Sequence, residues 1–181
     1  MIWIILGIVV VIVLYVIATY NKLIRGRNKV DGEWSQIDVQ LKRRIDLIPN
    51  LVETVKGYAK HEKDTLDAVI NARSKAEKAS TPEEKMELAA EMSVALTNLL
   101  AVAEAYPDLK ANENFLELQA TIKETEEKIA YARQFYNDAA KSYKNLVEMF
   151  PSNIIAGIFK FQAKPFFEVD SKDREVPQVK F

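Results

Sequence analysis

The sequence predicts an all-α protein: an N-terminal transmembrane helix, then an up-and-down antiparallel bundle of three long helices, a short fourth helix and an extended tail. Three observations predict it. Helix breakers are scarce, with 5 Gly and 6 Pro in 181 residues that are 49% hydrophobic. The first twenty residues, MIWIILGIVVVIVLYVIATY, contain no charged side chain. From Phe115 to Phe150 an apolar or aromatic residue recurs at every seventh position. The chain divides accordingly into an anchor over 1–21, a bundle over 22–160 and an extended or partly disordered tail over 161–181.

The anchor rests on length. About 20 helical residues span the roughly 30 Å hydrocarbon layer of a bilayer. Trp3, Tyr15 and Tyr20 stand near the ends, where amphipathic rings favour the interface. A cleaved signal peptide would need a basic stretch before the apolar run and a small-residue cleavage site after it, and neither is found. Lys22, Arg25, Arg27 and Lys29 follow the span, and no charged side chain precedes it. By the positive-inside rule these four place the bundle in the cytoplasm, in a cell-membrane protein with a single pass. They either set topology alone or also hold anionic headgroups.

The first soluble helix is predicted over about 28–79, either separate from the apolar span or continuous with it; Gly26 and Gly32 are its weak points. Thr81-Pro82-Glu83-Glu84 then reads as a capping box with proline at the first helical position, so a second helix begins at Pro82 and runs to about Ala105. Its apolar residues cover most of the circumference, which predicts burial on several sides. Pro107 interrupts the pattern, and Asp108 or Asn112 can cap the next helix. That third helix carries Phe115, Ile122, Ile129, Tyr136, Tyr143 and Phe150 as one edge of a seam, with Leu118, Thr125, Ala132, Ala139 and Leu146 as the other. Ser152 is a candidate cap for a short fourth helix, NIIAGIFKF, and Phe166-Phe167 are candidates to pin the tail.

At 1.5 Å per residue the three helices measure roughly 75, 35 and 55 Å, so in an up-down-up path the third overshoots the first turn by roughly 15–20 Å. That overhang would carry Tyr143, Leu146, Phe150, Ile154, Ile155, Ile158 and Phe159, covered by the short helix or by another molecule.

Three blocks, WSQIDVQLKRRIDLIPNLVETVKGYAKHE, AYPDLKANENFLELQ and ETEEKIAYARQFYNDAAKSYKNLVEMFPSNIIA, resemble in content and order those of the LemA family of prokaryotic membrane proteins. The anchor and the closing VPQVKF fit as well, so the likeness covers nearly the whole chain. The resemblance implies a single-pass bacterial protein with a helical bundle of three long helices and a shorter one. It implies no reaction. The frequent genetic neighbourhood of the family with membrane proteases points to a membrane protease system as a partner.

The residues themselves argue against enzyme chemistry. There is no cysteine and one histidine, His61. His61-Glu62 opens like a zinc motif, but the position of the second histidine is Thr65. No phosphate-cradling glycine loop and no serine elbow is present. Glu83, Glu84 and Glu87, and likewise Glu124, Glu126 and Glu127, read as solvated charge on exposed helix faces. A net charge of −1 gives no general attraction to nucleic acid. The expectation is no cofactor, no metal, no nucleic acid and no small-molecule substrate.

One stretch resists the helical reading. QLKRRIDLIPNLVETV keeps apolar residues at three- and four-residue steps straight through Pro49. Proline in a helix interior costs about 3 kcal/mol by deleting a donor and crowding the preceding turn. Either Pro49 bends a long helix along the bundle while Arg43, Arg44, Asp46 and Asn50 pair between helices, or the bend presents the two arginines to a carboxylate-bearing partner. A true helix break is a third option. Trp34 is a further candidate interaction residue, and packing against its neighbours is the ordinary use of such a tryptophan. The function expected is a membrane-tethered, non-enzymatic scaffold engaging protein partners or itself. The alternative is sensing or shaping the membrane surface through self-assembled bundles and anionic lipid. An unrecognised hydrolase would need a pocket of perturbed carboxylates.

Overall fold

The computed structural model describes residues 1–59 and 61–167. Six helices and no strand occur among the described residues: α1 (Ile2–Tyr58), α2 (Lys63–Lys78), α3 (Pro82–Ala103), α4 (Pro107–Lys110), α5 (Glu113–Glu148) and α6 (Ser152–Ile158). They form two compact units. Unit 2 is Glu33–Gln134, and unit 1 joins Met1–Gly32 to the chain from Phe135 onward. Both α1 and α5 contribute to each unit.

α1 is continuous from the apolar segment through Pro49 to Tyr58, so Pro49 is no break. Pro49 itself is exposed, while Ile45, one turn earlier, is a core residue. The helix expected over 28–79 is instead two helices, parted at residues 59–62. Glu62 N–H turns back to the Ala59 carbonyl, and the Glu62 carbonyl accepts from Leu66 N–H as α2 begins. Apolar phase hides this turn from a periodicity reading. Ile48, Val52, Val55 and Ala59 step by four and three, and Leu66 follows Ala59 by seven, in step with an unbroken helix.

The extra turn makes unit 2 a four-helix up-down-up-down arrangement. α1 and α3 run parallel, pairing Asp38 with Lys85 and Arg44 with Ser93. α5 runs against both: Arg44 meets Glu126, while Tyr58 accepts a hydrogen bond from Asn112. α2 runs against α3, with Lys75 beside Glu91 and Glu62 accepting from the Tyr106 hydroxyl. The core includes Ile48 and Val55 of α1, Val69 of α2, Met92 and Leu99 of α3, and Phe115 and Ile122 of α5.

Capping follows the sequence at two of three sites. Thr81 Oγ1 accepts from Glu84 N–H and the Glu84 carboxylate accepts from Thr81 N–H, a complete capping box. Asn112 Oδ1 accepts from Phe115 N–H at the start of α5. Ser152 is not a cap, because its hydroxyl donates to the Met149 carbonyl and the capping position belongs to Pro151.

In unit 1, α5 runs antiparallel to the part of α1 that follows the apolar segment. Gly26 makes this approach close: a Cβ built there would stand 3.0 Å from Tyr143 Cδ2 and 3.2 Å from Leu146 Cδ1. Tyr143 is fully buried, and Leu23, Val30, Tyr136 and Ile155 join it in the core of the unit. The expected overhang is therefore absent. With four passes rather than three, the last third of α5 packs along residues that follow the apolar segment. α6 closes in a Schellman turn, with Phe161 N–H bonded to the Ala156 carbonyl and Lys160 N–H to Gly157. Lys160 takes the left-handed conformation (φ 56°) that glycine usually fills. Residues 161–167 beyond it belong to no helix or strand, and Phe167 is buried, as a pinned tail requires. The remainder of the expected tail, 168–181, lies outside the described residues.

Candidate functional site

Two polar assemblies stand out, one in each unit. In unit 2 the guanidinium of Arg44, only 2% exposed, donates to Glu126 Oε1 at 2.7 Å, Ser93 Oγ at 2.9 Å and the Ala89 carbonyl at 3.1 Å. Three helices thus meet at one cation. Ser93 Oγ also lies 3.1 Å from Ala89 O and 3.3 Å from Glu126 Oε2, and its single proton can be given to either. Burial lowers the pKa of nearby Arg133, the positive Arg44 adds to this, and Glu126 opposes it. A guanidinium remains charged at any physiological pH and offers donors only, so the assembly fixes helix register and moves no proton. A groove of about 280 Å³ opens beside it, lined by Asp38, Lys42, Arg44, Glu77 and Lys85 among others. Its charged groups are engaged: Lys85 pairs with Asp38, Lys42 with Asp46 and Glu77 with Arg73.

This geometry corrects the reading of a paired, outward-facing arginine surface. Arg44 is interior, whereas Arg43 is exposed and stands 3.8 Å from Glu124. Asp46 is exposed and paired with Lys42; Asn50 is exposed, and its carbonyl accepts from Thr54 Oγ1. Trp34 is half-buried. Glu126, read from sequence as solvated charge, is the partner of the buried arginine. The missed signal was positional. Glu126 adjoins the seam residue Thr125, which is fully buried, and Ser93 is a small polar residue on a helix otherwise apolar nearly all round. His61 is exposed in the α1–α2 turn, and no group of three or more His, Asp or Glu side chains is placed to hold a metal among the described residues.

The second assembly lies in unit 1, just past the apolar segment. Lys22, Arg25, Arg27 and Lys29 are all exposed. Arg27 lies over the Phe161 ring at 5.7 Å, and Lys164 pairs with Asp31 at 3.0 Å. Tyr20 meets Phe159 and Phe161 edge-on, with ring centroids 4.8 and 5.6 Å apart. Of the apolar residues expected on an overhang, Phe150, Ile154, Ile158 and Phe159 are exposed, but Tyr143 and Ile155 are core residues at 1% and 5%. The correction has a helical cause: Ile154 and Ile155 are neighbours on α6 and point about 100° apart, which puts one outside the core and the other in it.

A helix-only fold with an N-terminal segment long and apolar enough to cross a membrane, and with polar groups spent on register, is the context for three likenesses. The LemA family profile matches residues 33–181. The chain is 27% identical over 163 residues to Protein LemA of Metamycoplasma hominis, covering 86% of this chain and 74% of that one. It is 24% identical over 186 residues to Magnetosome proteins MamQ 1 and MamQ 2 of Paramagnetospirillum magneticum, covering 88% of this chain and 68% of each. With the profile spanning the whole of unit 2 and all of α5 and α6, this chain belongs to the LemA family.

Proposed function

We propose that this protein is a membrane-tethered helical module that acts by protein contact, without catalysis. The observation that carries the reading is the continuity of α1. One helix, unbroken from Ile2 to Tyr58, carries both the apolar segment and core residues of unit 2. The side chains that meet inside unit 2 tie helices to one another, with Ser93 and Glu126 both held by the buried Arg44 guanidinium. The partner is a second protein or another copy of this chain, with a membrane protease system as the first to test. In-cell crosslinking of the full chain, compared with a chain whose residues 2–20 are replaced by a soluble helix, tests this. A partner set captured only by the anchored chain supports it; a monomer without crosslinks, or an identical set from both, opposes it.

The four exposed cations Lys22, Arg25, Arg27 and Lys29 favour a second reading, contact with anionic lipid on the side of the membrane that holds the bundle, which the positive-inside rule makes the cytoplasmic side. Protease access to the bundle in sealed vesicles of known sidedness tests the orientation.

A further inference from the structure

We infer that the corner between α5 and α6, together with the outer face of α6, is a second membrane-contacting element that inserts into the interfacial layer of the bilayer holding α1. The inference rests on the reading of residues 2–20 as a span, and its occupant is lipid.

The first observation is composition. MFPSNIIAGIF, residues 149–159, contains no charged side chain, and the flanking charges are Glu148 and Lys160. Glu148 is paired with Lys144. A surface helix facing water carries polar residues outward. α6 does not: Ile155 and Ala156 face the core of unit 1, while Ile154 and Ile158 point away from it, 53% and 66% exposed. Met149 and Phe150 extend the exposed apolar surface at the corner, at 60% and 78%.

The second observation is position. A groove of about 450 Å³ is lined on one side by Tyr15, Ala18, Thr19 and Lys22 of α1 and on the other by α5, the corner and Ser152. The corner therefore meets α1 where its apolar segment ends. From Tyr15 to Lys22 is about 10 Å along a helix at 1.5 Å per residue, enough to cross the headgroup layer on one side of a bilayer, about 5–7.5 Å. Tyr20, against Phe159 and Phe161, holds the end of α6 at the same level. Aromatic rings there and the cations beginning at Lys22 match the order in which a bilayer passes from acyl chain to headgroup. Continuity with the span identifies the cover of this apolar surface as lipid rather than a second protein.

The chain has no cysteine, so single labels report without background. Phe150→Cys, Ile154→Cys and Ile158→Cys, each spin-labelled in the full chain in phosphatidylcholine–phosphatidylglycerol vesicles, are compared with Ile8→Cys in the apolar segment and Val94→Cys on an exposed face of α3. The expected result is collision with oxygen at least several-fold favoured over a water-soluble nickel complex at all three positions, at depths between those of Ile8 and Val94. A label at any of the three that behaves as Val94 does, or that is shielded from both reagents as under a protein partner, overturns the inference. Should one variant fail to fold, the other two decide. If the Ile8 label itself reads as aqueous, the span reading fails; if only the three corner labels do, this inference alone fails.

Discussion

Arg44 of α1 and Glu126 of α5 share a 2.7 Å hydrogen-bonded ion pair in which the cation is buried and the carboxylate side chain is 35% exposed. The asymmetry sets which partner is costlier to lose. Without Glu126 the guanidinium stays buried with only Ser93 and Ala89 as acceptors, whereas without Arg44 the carboxylate can turn to water. Breaking a fully buried pair costs about 3–5 kcal/mol, and partial exposure reduces this. Glu126→Leu is expected to destabilise by about 2–3 kcal/mol, and Arg44→Met by less. Thermal unfolding of the full chain in micelles, followed by circular dichroism, ranks the two.

Glycine positions in α1 divide by what lies opposite them. Nothing lies within 4 Å of a Cβ at Gly32, so Gly32→Ala gains helix propensity and stabilises by about 0.5–1 kcal/mol. At Gly26 the same Cβ meets Tyr143, a fully buried ring, at 3.0 Å. Gly26→Leu is expected to destabilise by about 1–3 kcal/mol, through overpacking. Opposite shifts in melting temperature for the two variants are the check; shifts of the same sign would contradict the packing of unit 1.

The capping box that opens α3 makes its N-terminus sensitive to acid. Hydrogen bonds from the backbone N–H groups of Ser80 and then Thr81 hold the Glu84 carboxyl below its ordinary value of 4.5. The folded-state value is depressed relative to the unfolded chain. The contribution is therefore full above the ordinary value and is lost as pH falls through the folded one. Glu84→Gln is expected to flatten the pH dependence below pH 4.5. Amide exchange at the first turn of α3, measured in both chains, shows this as faster exchange in acid for the native chain than expected from Glu84→Gln. Thr81→Ala removes the reciprocal bond and costs about 1 kcal/mol at neutral pH.

These residues show what the sequence makes legible. The seam and the capping box are local or periodic, so spacing alone places them; for the next cap it offers Asp108 or Asn112, and the structure selects Asn112. Five of the six seven-step residues are buried, from Phe115 to Tyr143; the sixth, Phe150, lies past the end of α5 and is exposed. The turn at 59–62 is hidden because the apolar phase is kept across it, and without that turn four passes read as three. The same omission carries Tyr143, Ile154 and Ile155 to the wrong end of the bundle. Which charge is buried is not legible either. Arg43 and Arg44 are identical in type and adjacent, and only the partner helices decide that Arg44 turns inward to Ser93 and Glu126.

A last prediction concerns how the extended segment after α6 is held. Asn137 of α5 treats Phe167 as one strand treats another: its Nδ2 donates to the Phe167 carbonyl at 3.0 Å, and its Oδ1 accepts from Phe167 N–H at 2.9 Å. Beside it Tyr136 donates to the Pro165 carbonyl at 2.8 Å and meets the Phe167 ring edge-on at 6.1 Å. Phe167 is buried, so a backbone donor left without Asn137 loses its partner where water cannot readily replace it. Leaving such a group unsatisfied costs about 1–3 kcal/mol. Asn137→Ala is therefore expected to release residues 161–167 locally, raising amide exchange at Phe167 by roughly 10- to 100-fold, since each factor of ten is about 1.4 kcal/mol. Asn137→Asp keeps the acceptor for Phe167 N–H and loses the donor to its carbonyl, so its effect should be smaller. Unchanged exchange at Phe167 in the alanine variant would show that Tyr136 and ring packing hold the segment without the amide pair.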